Sequence, residues 1–319
     1  MLYRRFGNTE LEVSVICFGP MRFAAKEPGA DAVSASGQRA LEAAIDRGVN
    51  FIHSSYEYGT RWAVGRVLKD HPRRAQMRHV IKVPVPEAGD GGRFDAARFT
   101  LRIEEALRDL HADRIDIVQH LHRADPNVDA ERLPQIPGVV EPLAEVFGRL
   151  RDQGKVGYLA TFPYSPGYAG KAIATGVFDG MVAYYNPIET EMVQYFARMQ
   201  AAGQGFLCIR PYLAGLLTDE RCDRDRLAAG DRFAEPRWQP AYERLAAVEN
   251  ALGRPASWTR FAIHFALLQP QVTSLIVGLN STPQVDQVID AAEEDHGLAA
   301  DLVDRAAAIW RERGSVEGV

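Results

Sequence analysis

The 319-residue sequence has little of what marks a secreted, membrane-spanning or nucleic-acid-binding protein. Its three cysteines, Cys17, Cys208 and Cys222, are odd in number and far apart, which argues against a disulfide framework or a zinc site and favours a reducing cytoplasm. No apolar run approaches the roughly 18 residues of a membrane span, and the first residues lack the apolar core of a secretory signal. A net charge of -5 and the absence of a basic run argue against nucleic acid as a partner. These absences favour a cytoplasmic protein without a nucleic-acid or membrane partner, and they leave its oligomeric state open.

Short β-rich runs alternate with segments of helical period along the whole chain. The predicted strands are Val13 to Phe18, Asn50 to His53, His79 to Val83, Ile115 to Leu121, Val156 to Thr161, Gly180 to Tyr185, Gly205 to Ile209 and Ser274 to Val277. The predicted helices are Ala35 to Arg47, Arg61 to Asp70, Ala96 to Leu110, Val140 to Gln153, Gly170 to Thr175, Glu191 to Ala202 and Ala241 to Gly253. Strict alternation of this kind implies parallel strands joined by right-handed crossovers.

The number of units favours a closed barrel. Eight strand–helix units follow a hairpin-like opening over Leu2 to Val13, and α/β barrels of this length commonly form one domain. We therefore predict a single (β/α)8 TIM barrel domain over residues 1–319, with an N-terminal β-hairpin. A doubly wound open sheet is the alternative, but no Gly-x-Gly-x-x-Gly turn follows any of the strands.

Two irregular segments follow strands and are predicted to border a binding pocket. Arg123 to Pro137 contains three prolines and is predicted as a loop on the side where barrel active sites form. It either shapes a substrate pocket or is a long loop without that role. Thr218 to Gln239 is charged and irregular, and is a candidate lid.

The most informative stretch is Val49-Asn50-Phe51-Ile52-His53-Ser54-Ser55-Tyr56-Glu57-Tyr58-Gly59. It resembles the second barrel strand of the aldo-keto reductases, which reads Gly-Val-Asn-Phe-Phe/Ile-Asp-Thr-Ala-x-x-Tyr-Gly. Further matches, in order over essentially the whole chain, lie at Tyr3 to Thr9, Val13-Ser14, Gly65 to Lys69, Gln153 to Val156, Val277-Gly278 and Ser281 to Gln284. On this pattern the chain is identified as a divergent member of the aldo-keto reductase superfamily.

The resemblance implies that a tyrosine acts as general acid to a carbonyl oxygen while a nicotinamide supplies hydride. Tyr58 matches that tyrosine, and Lys82, at the end of the third strand, matches the lysine that stabilises phenolate. A phenol of pKa about 10 needs such a neighbour to act near neutral pH. The alternatives are a packed loop aromatic for Tyr58 and a solvated surface charge for Lys82. Tyr56 is a competing tyrosine, but Gly59 favours Tyr58 because the family's tyrosine precedes a glycine.

The family's histidine, which orients the carbonyl, has two candidates here. Five residues beyond Asp116 the pattern lands on Leu121, so a one-residue bulge must be assumed. His122 begins His-Arg-Ala-Asp-Pro, which resembles the family's His-Arg-Pro-Asp-Pro, and we predict His122 as the site histidine. His120 is the alternative, since it would share a face with His122 in an unbulged strand.

His53 stands where the family has an aspartate. A neutral imidazole can only accept a hydrogen bond from Lys82, and an imidazolium would lower the pKa of that lysine. Either the tetrad is relaxed and still active, or His53 is itself a new acid–base residue. The predicted catalytic residues are therefore Tyr58, Lys82, His122 and His53, with no metal ligands.

The implied cofactor is NADP(H) or NAD(H), but many of its family contacts are replaced. Ala160-Thr161-Phe162-Pro163 stands for Gly-x-Ser-Asn, Val182 for a glutamine, Asn280 for the basic residue at the 2′-phosphate, and Val288 for an asparagine at adenine. Backbone amides before the helix that starts near Pro283 remain able to bind phosphate. The predicted cofactor contacts are Met21, Asn186, Arg210, Gly278, Asn280, Ser281 and Gln284. Binding is predicted to be weak, without strong selectivity for NADPH, or absent.

Three functions remain open. The favoured one is an oxidoreductase that reduces a carbonyl or imine of a small molecule. The alternative is a cofactor-independent acid–base enzyme, such as a dehydratase, isomerase or cyclase, at the same barrel mouth. A non-catalytic binding barrel ranks last, because it would have little reason to keep a titratable cluster.

Overall fold

The protein, as a computed structural model, is described over residues 1–23, 35–295 and 297–313. A two-stranded antiparallel hairpin of β1 (Tyr3–Arg5) and β2 (Glu12–Ser14) precedes a closed barrel of parallel strands. The barrel strands are β3 (Ile16–Gly19), β4 (Phe51–Ser55), β5 (Arg78–Pro84), β6 (Ile115–Leu121), β7 (Val156–Phe162), β8 (Gly180–Tyr184), β9 (Gly205–Ile209) and β10 (Val272–Gly278). They follow one another around the barrel in chain order, and β10 closes on β3. The predicted (β/α)8 barrel with its N-terminal hairpin is confirmed.

Helices surround this barrel on its outside. They are α1 (Ala35–Asp46), α2 (Arg61–Leu68), α3 (Ala96–Leu110), α4 (Asp129–Asp152), α5 (Pro166–Thr175), α6 (Val193–Ala201), α7 (Gln239–Leu252), α8 (Trp258–Leu268), α9 (Thr282–Glu293) and α10 (Leu302–Arg313). Local chemistry sets several of their ends. Ser165, for example, accepts a hydrogen bond from the Tyr168 amide to begin α5, and Gly176 ends the helix in the left-handed conformation at φ 67°.

Helices α8 and α10 were not predicted, and among the predicted helices the largest departure is α4, which begins at Asp129 rather than near Val140. Pro134 and Pro137 lie inside this helix, so the predicted loop from Arg123 to Pro137 is much shorter. Each proline removes a helical hydrogen bond, but tertiary packing offsets that loss. The side chains of Ile136, Val139, Val140 and Leu143 are buried, as is that of Arg132, which donates to the Pro163 carbonyl at 2.8 Å.

Side chains inside the barrel separate a closed lower end from a polar upper end. Phe6, Leu11 and Val13 of the hairpin region pack with an interior layer that includes Phe51 and Ile117. Because side chains alternate along each strand, the next inward positions toward the carboxyl ends carry the polar residues described below. The apolar layer thus forms the floor beneath the site. No helix in the described ranges combines the length and the apolar character needed to cross a bilayer.

Candidate active site

A cavity of about 760 Å³ opens at the carboxyl ends of the barrel strands. Strands β3 to β10 contribute to its wall, together with the segment between β9 and α7. From that segment, Thr218 to Arg221 and Arg232 line the cavity, so part of the predicted lid borders the site. This is the end of the barrel where active sites of the fold form.

Tyr58 lies on the cavity wall because a short 3-10 turn carries it there. Ser55 caps the turn by accepting from the Glu57 amide at 3.1 Å, and Gly59 ends it at φ 64°. The Lys82 Nζ lies 5.2 Å from the centre of the Tyr58 ring. Tyr56 is turned away, 43% exposed, with the Arg102 guanidinium 4.2 Å over its ring. The structure therefore brings Tyr58, and not Tyr56, to Lys82.

Glu57 supplies a carboxylate for Lys82. Its Oε2 lies 3.4 Å from the Lys82 Nζ, in a site where that lysine is only 16% exposed. Burial lowers the pKa of Lys82, and the charge of Glu57 opposes this effect. Burial would raise the pKa of Glu57, but hydrogen bonds from Arg123 and the charge of Lys82 outweigh it and lower that pKa. A carboxylate from the residue before the tyrosine thus stands in for the aspartate that His53 replaces.

The Tyr58 phenol is held neutral. Burial raises its pKa above the ordinary value, and the neighbouring charge of Glu57 raises it further, while Arg123 acts in the opposite direction. The lowered tyrosine pKa implied by the lysine is therefore not what this arrangement produces. A neutral phenol is the protonation state that a proton donor requires.

His53 is a buried, neutral side chain on the cavity wall. It is 2% exposed, and its Nε2 lies 3.0 Å from the Gln119 Oε1, so with this oxygen as acceptor Nε2 carries the proton. Burial and then the charge of Lys82 lower the pKa of His53 to about 3. The His53 and Tyr58 rings lie 5.9 Å apart. The imidazole thus has Nδ1 left as an acceptor, and it adds no charge beside Lys82.

The bulge assumed in β6 is absent. The register of β6 with both neighbours continues without a shift, and it pairs Lys82 with Gln119 and Pro84 with Leu121. Gln119 and Leu121 therefore face the cavity, and the position that corresponds to the family's histidine is the apolar Leu121.

His122 and His120 do not line the cavity. The His122 Nδ1 is 3.2 Å from the Tyr168 hydroxyl, and its Nε2 is 2.9 Å from the Gln135 Oε1, both on surrounding helices. His120 is buried on the same outer face, with its Nε2 2.6 Å from the Val85 carbonyl oxygen. The predicted convergence of His122 with Tyr58 and Lys82 is wrong, because an unbulged strand turns both histidines outward.

Arg123 lines the cavity, although the motif His-Arg-Ala-Asp-Pro did not indicate a role for it. It donates to both oxygens of Glu57, at 2.5 and 3.0 Å, and its Nε donates to the Tyr164 hydroxyl at 2.8 Å. These contacts hold the guanidinium across the mouth from the β4 side to the β7 side. Its inward position could have been found by continuing the alternation of Gln119 and Leu121 by two more residues.

An aromatic wall of Phe162, Tyr164 and Tyr184 faces the same end of the cavity. The Phe162 ring lies edge-on to Tyr164 at 4.5 Å and to Tyr184 at 5.2 Å between centres. Phe162 stands at one of the positions where the family pattern has a polar group for the nicotinamide carboxamide. The wall therefore presents a flat apolar surface and two phenols in place of the side chain that would hydrogen-bond the carboxamide.

The predicted cofactor contacts divide into two groups. Met21, Arg210, Gly278, Asn280 and Gln284 line the cavity. Asn186 and Ser281 do not. The Asn186 amide is buried and donates to Glu189 Oε2 at 2.6 Å and to the Arg210 carbonyl at 3.0 Å, so it braces a loop. Ser281 precedes α9 as its N-cap, without a side-chain hydrogen bond to the helix.

The residues present fit a phosphate-bearing cofactor better at its phosphates than at its carboxamide. Arg22, Arg221 and Arg232 line the cavity, and none of them was predicted. Burial lowers the pKa of Arg232, and the charges of Arg22 and Arg221 lower it further. Arg221 is paired with Asp231 at 2.9 Å, and Asp219 and Glu220 also line the cavity, so Arg22 and Arg232 carry the positive charge that suits an anionic ligand in this region. Among the described residues, no group of three or more His, Cys, Asp or Glu side chains is suited to hold a metal ion.

The structure brings a tyrosine and a lysine together at the carboxyl end of a (β/α)8 barrel, and comparison with known proteins gives the family of this barrel. The family model described as "Aldo/keto reductase family" matches residues 15–310. The chain belongs to the aldo/keto reductase family and is an oxidoreductase of that family. Its members typically use NAD(P)H.

Individual relatives are distant but align over nearly their full length. The chain is 24% identical to an L-galactose dehydrogenase of Arabidopsis thaliana, over 93% of this chain and 90% of the relative. It is also 24% identical to the uncharacterized oxidoreductase YrpG of Bacillus subtilis, over 92% and 91%. The holo form of the aldo-keto reductase AKR11C1 from Bacillus halodurans superposes with a TM-score of 0.71 at 19% identity, covering 97% of this chain and 96% of that one. This last likeness concerns the fold.

Proposed function

We propose that the protein reduces a carbonyl or imine of a small polar molecule with NAD(P)H, and that Tyr58 is the proton donor. The observation that carries this proposal is the meeting of Tyr58 and Lys82 in one cavity, with Nζ 5.2 Å from the ring centre. Bound NAD(P)H would supply a hydride to the substrate carbon. The chain's own residues provide binding, orientation and the proton.

The proton stays on the Tyr58 hydroxyl until it is transferred to the substrate's oxygen or nitrogen. A raised phenol pKa keeps the proton in place in the free enzyme but makes Tyr58 a weaker acid, so donation depends on the strong basicity of the alkoxide that forms. Lys82 then stabilises the phenolate that forms, and Glu57 keeps the lysine in position.

For the cofactor we propose that electrostatic contacts to its phosphates provide most of the binding. Arg22 and Arg232 supply cations, and the backbone at the start of α9 supplies amides. The Asn280 amide is engaged by the Gln284 Oε1 at 2.9 Å, so that contact must rearrange for this amide to bind phosphate. Phe162 gives the carboxamide no hydrogen bond. This combination of contacts supports weak binding of the nicotinamide cofactor without a strong preference for NADPH over NADH.

His53 supports a second candidate, a cofactor-independent acid–base enzyme. It is a neutral imidazole on the cavity wall, close to Tyr58, and its Nδ1 is a potential base. Such an enzyme would form a product with the same oxidation state as its substrate, and it would neither oxidise nor reduce a nicotinamide. Because His53 is buried against Gln119, the cofactor-independent enzyme ranks second.

Nucleotide binding followed by turnover tests the first candidate. Tryptophan fluorescence on adding NADPH or NADH should be quenched, and absorbance at ~340 nm should fall with members of a carbonyl panel. Tyr58→Phe should lower kcat by at least ~10²-fold, the usual cost of a lost general acid. Absence of binding at millimolar nucleotide would contradict the reductase.

His53→Asp separates the two candidates. In a reductase it places a second carboxylate near Lys82 and should preserve or raise the rate. In a cofactor-free enzyme that takes a proton on the His53 Nδ1, the shorter aspartate leaves no base at that position, and most activity should be lost. A product of unchanged oxidation state, formed by dialysed enzyme, would select the second candidate.

A further inference from the structure

The site lacks one hydrogen-bond donor that carbonyl reduction in this family uses. Tyr58 provides one donor to the carbonyl oxygen, and the family places a histidine as the second. Here Leu121 occupies that inward position, and His120 and His122 are committed on the outside of the barrel. An aliphatic side chain offers the oxygen nothing, so another group must take this role or the negative charge is stabilised from one side only.

Arg123 is placed to fill the gap. It is two residues beyond Leu121 on the same side of the chain, and it lines the cavity with Tyr58. Its Nη2 and the Lys82 Nζ share one oxygen of Glu57, at 3.0 and 3.4 Å, so the guanidinium and the ammonium flank the residue that precedes Tyr58. Burial raises the pKa of Tyr58 and the charge of Arg123 opposes it, which places the guanidinium within electrostatic reach of the phenol.

We propose that Arg123 is a catalytic residue, the second hydrogen-bond donor to the substrate's carbonyl oxygen, in place of the missing histidine. A guanidinium has five N–H groups. Three are engaged, one by Tyr164 and two by Glu57, which leaves one N–H on Nη1 and one on Nη2 for a ligand. The same three contacts fix the orientation of the group. This inference rests on the proposed reductase function.

The charge balance supports a donor role. Glu57 is one carboxylate between two cations, Lys82 and Arg123, so the three side chains carry a net positive charge toward the cavity. A positive group pre-positioned beside an oxygen that gains negative charge stabilises the transition state more than the ground state. An arginine also stays charged across the pH range of the enzyme, whereas an imidazole would titrate.

The test compares wild type with Arg123→Gln, Arg123→Lys and the double variant Leu121→His/Arg123→Gln, in steady-state reduction of one reactive carbonyl. Arg123→Gln should lower kcat by ~10²-fold with a smaller change in KM, as expected for a lost transition-state donor. Arg123→Lys should retain part of the rate. Millimolar guanidinium, far below denaturing concentration, should restore part of the Arg123→Gln rate, and Leu121→His should recover at least ~10-fold by returning an imidazole to the inward position.

The matched control is Arg149→Gln, which breaks an exposed arginine–glutamate pair with Glu145 on α4 and should leave kcat unchanged. Wild-type turnover together with an unchanged kcat in Arg123→Gln would overturn the Arg123 proposal alone. So would a loss that neither guanidinium nor Leu121→His relieves, since this is the behaviour of a purely structural residue. Absence of hydride transfer in the wild type itself would overturn the reductase function and this inference together.

Discussion

At the scale of single residues, the carboxylate that opposes the lowering of the Lys82 pKa comes from a different position than the family's aspartate. The aspartate is His53, which is neutral and bonded to Gln119, while Glu57 approaches Lys82 from the loop. The sequence showed the loss of the aspartate but not its replacement. The residue before the tyrosine has no fixed role in the pattern, and only the turn capped by Ser55 directs Glu57 toward Lys82.

Glu57→Gln should therefore change the pH dependence of the reaction. Burial lowers the pKa of Lys82 and Glu57 opposes that shift, so removing the carboxylate lowers the lysine pKa further. Because Lys82 acts when charged, the alkaline limb of the kcat profile should move to lower pH. Glu104→Gln is the control, since it removes the exposed partner of Lys155 at 2.8 Å and should leave the profile in place. An alkaline limb at the same pH in both variants would refute the role of Glu57.

At the scale of elements, the positions of the strands could be predicted from the sequence, but the direction in which the side chains of β6 point could not. The predicted bounds of β6 and β9 match the observed ones, because apolar runs between polar turns define both strands. The predicted facing of β6 was wrong, because the motif at His122 requires a bulge and the strand instead keeps its period of two without a shift in register. Helix α4 began earlier than expected, since the burial of Arg132 and Ile136 depends on tertiary contacts that no local pattern displays.

His122 should accordingly matter to stability and not to rate. His122→Leu keeps a similar volume but leaves the Tyr168 hydroxyl and the Gln135 amide with fewer partners, which should cost ~1–3 kcal/mol of unfolding free energy. Urea unfolding measures that loss, and kcat should stay within a few-fold of wild type. A fall in kcat as large as that of Tyr58→Phe, with unchanged stability, would return His122 to the active site.

At the scale of the whole molecule, an acidic chain presents a cationic cavity. The net charge is -5, yet Arg22, Arg221 and Arg232 come together from two separate segments at the carboxyl end of the barrel. The barrel itself followed from the alternation of strands and helices, a property of the entire sequence. The arginine cluster could not be inferred in the same way, because loops far apart in the chain bring it together only after the barrel closes.

This cluster predicts how nucleotide binding responds to salt and to mutation. The Kd for NADPH should rise with ionic strength, because charges at an open cavity are screened. Arg232→Gln should raise that Kd by ~10-fold at low salt and flatten its salt dependence, since it removes one charge-assisted contact. Arg22→Gln should act in the same direction, and it serves as a second variant because Arg232 also donates to the Ala214 carbonyl.

Arg237→Gln is the matched control for this measurement. It lies in the same segment, is paired with Glu235 at 2.9 Å and does not line the cavity, so the Kd should be unchanged. Asn280 has no charge for a 2′-phosphate, and NADPH and NADH should therefore bind wild type within about tenfold of each other. A larger preference for NADPH that disappears in Arg232→Gln would show that the cluster itself reads the 2′-phosphate. Equal salt dependence in wild type and in both cavity variants would show instead that the arginines do not contact the cofactor.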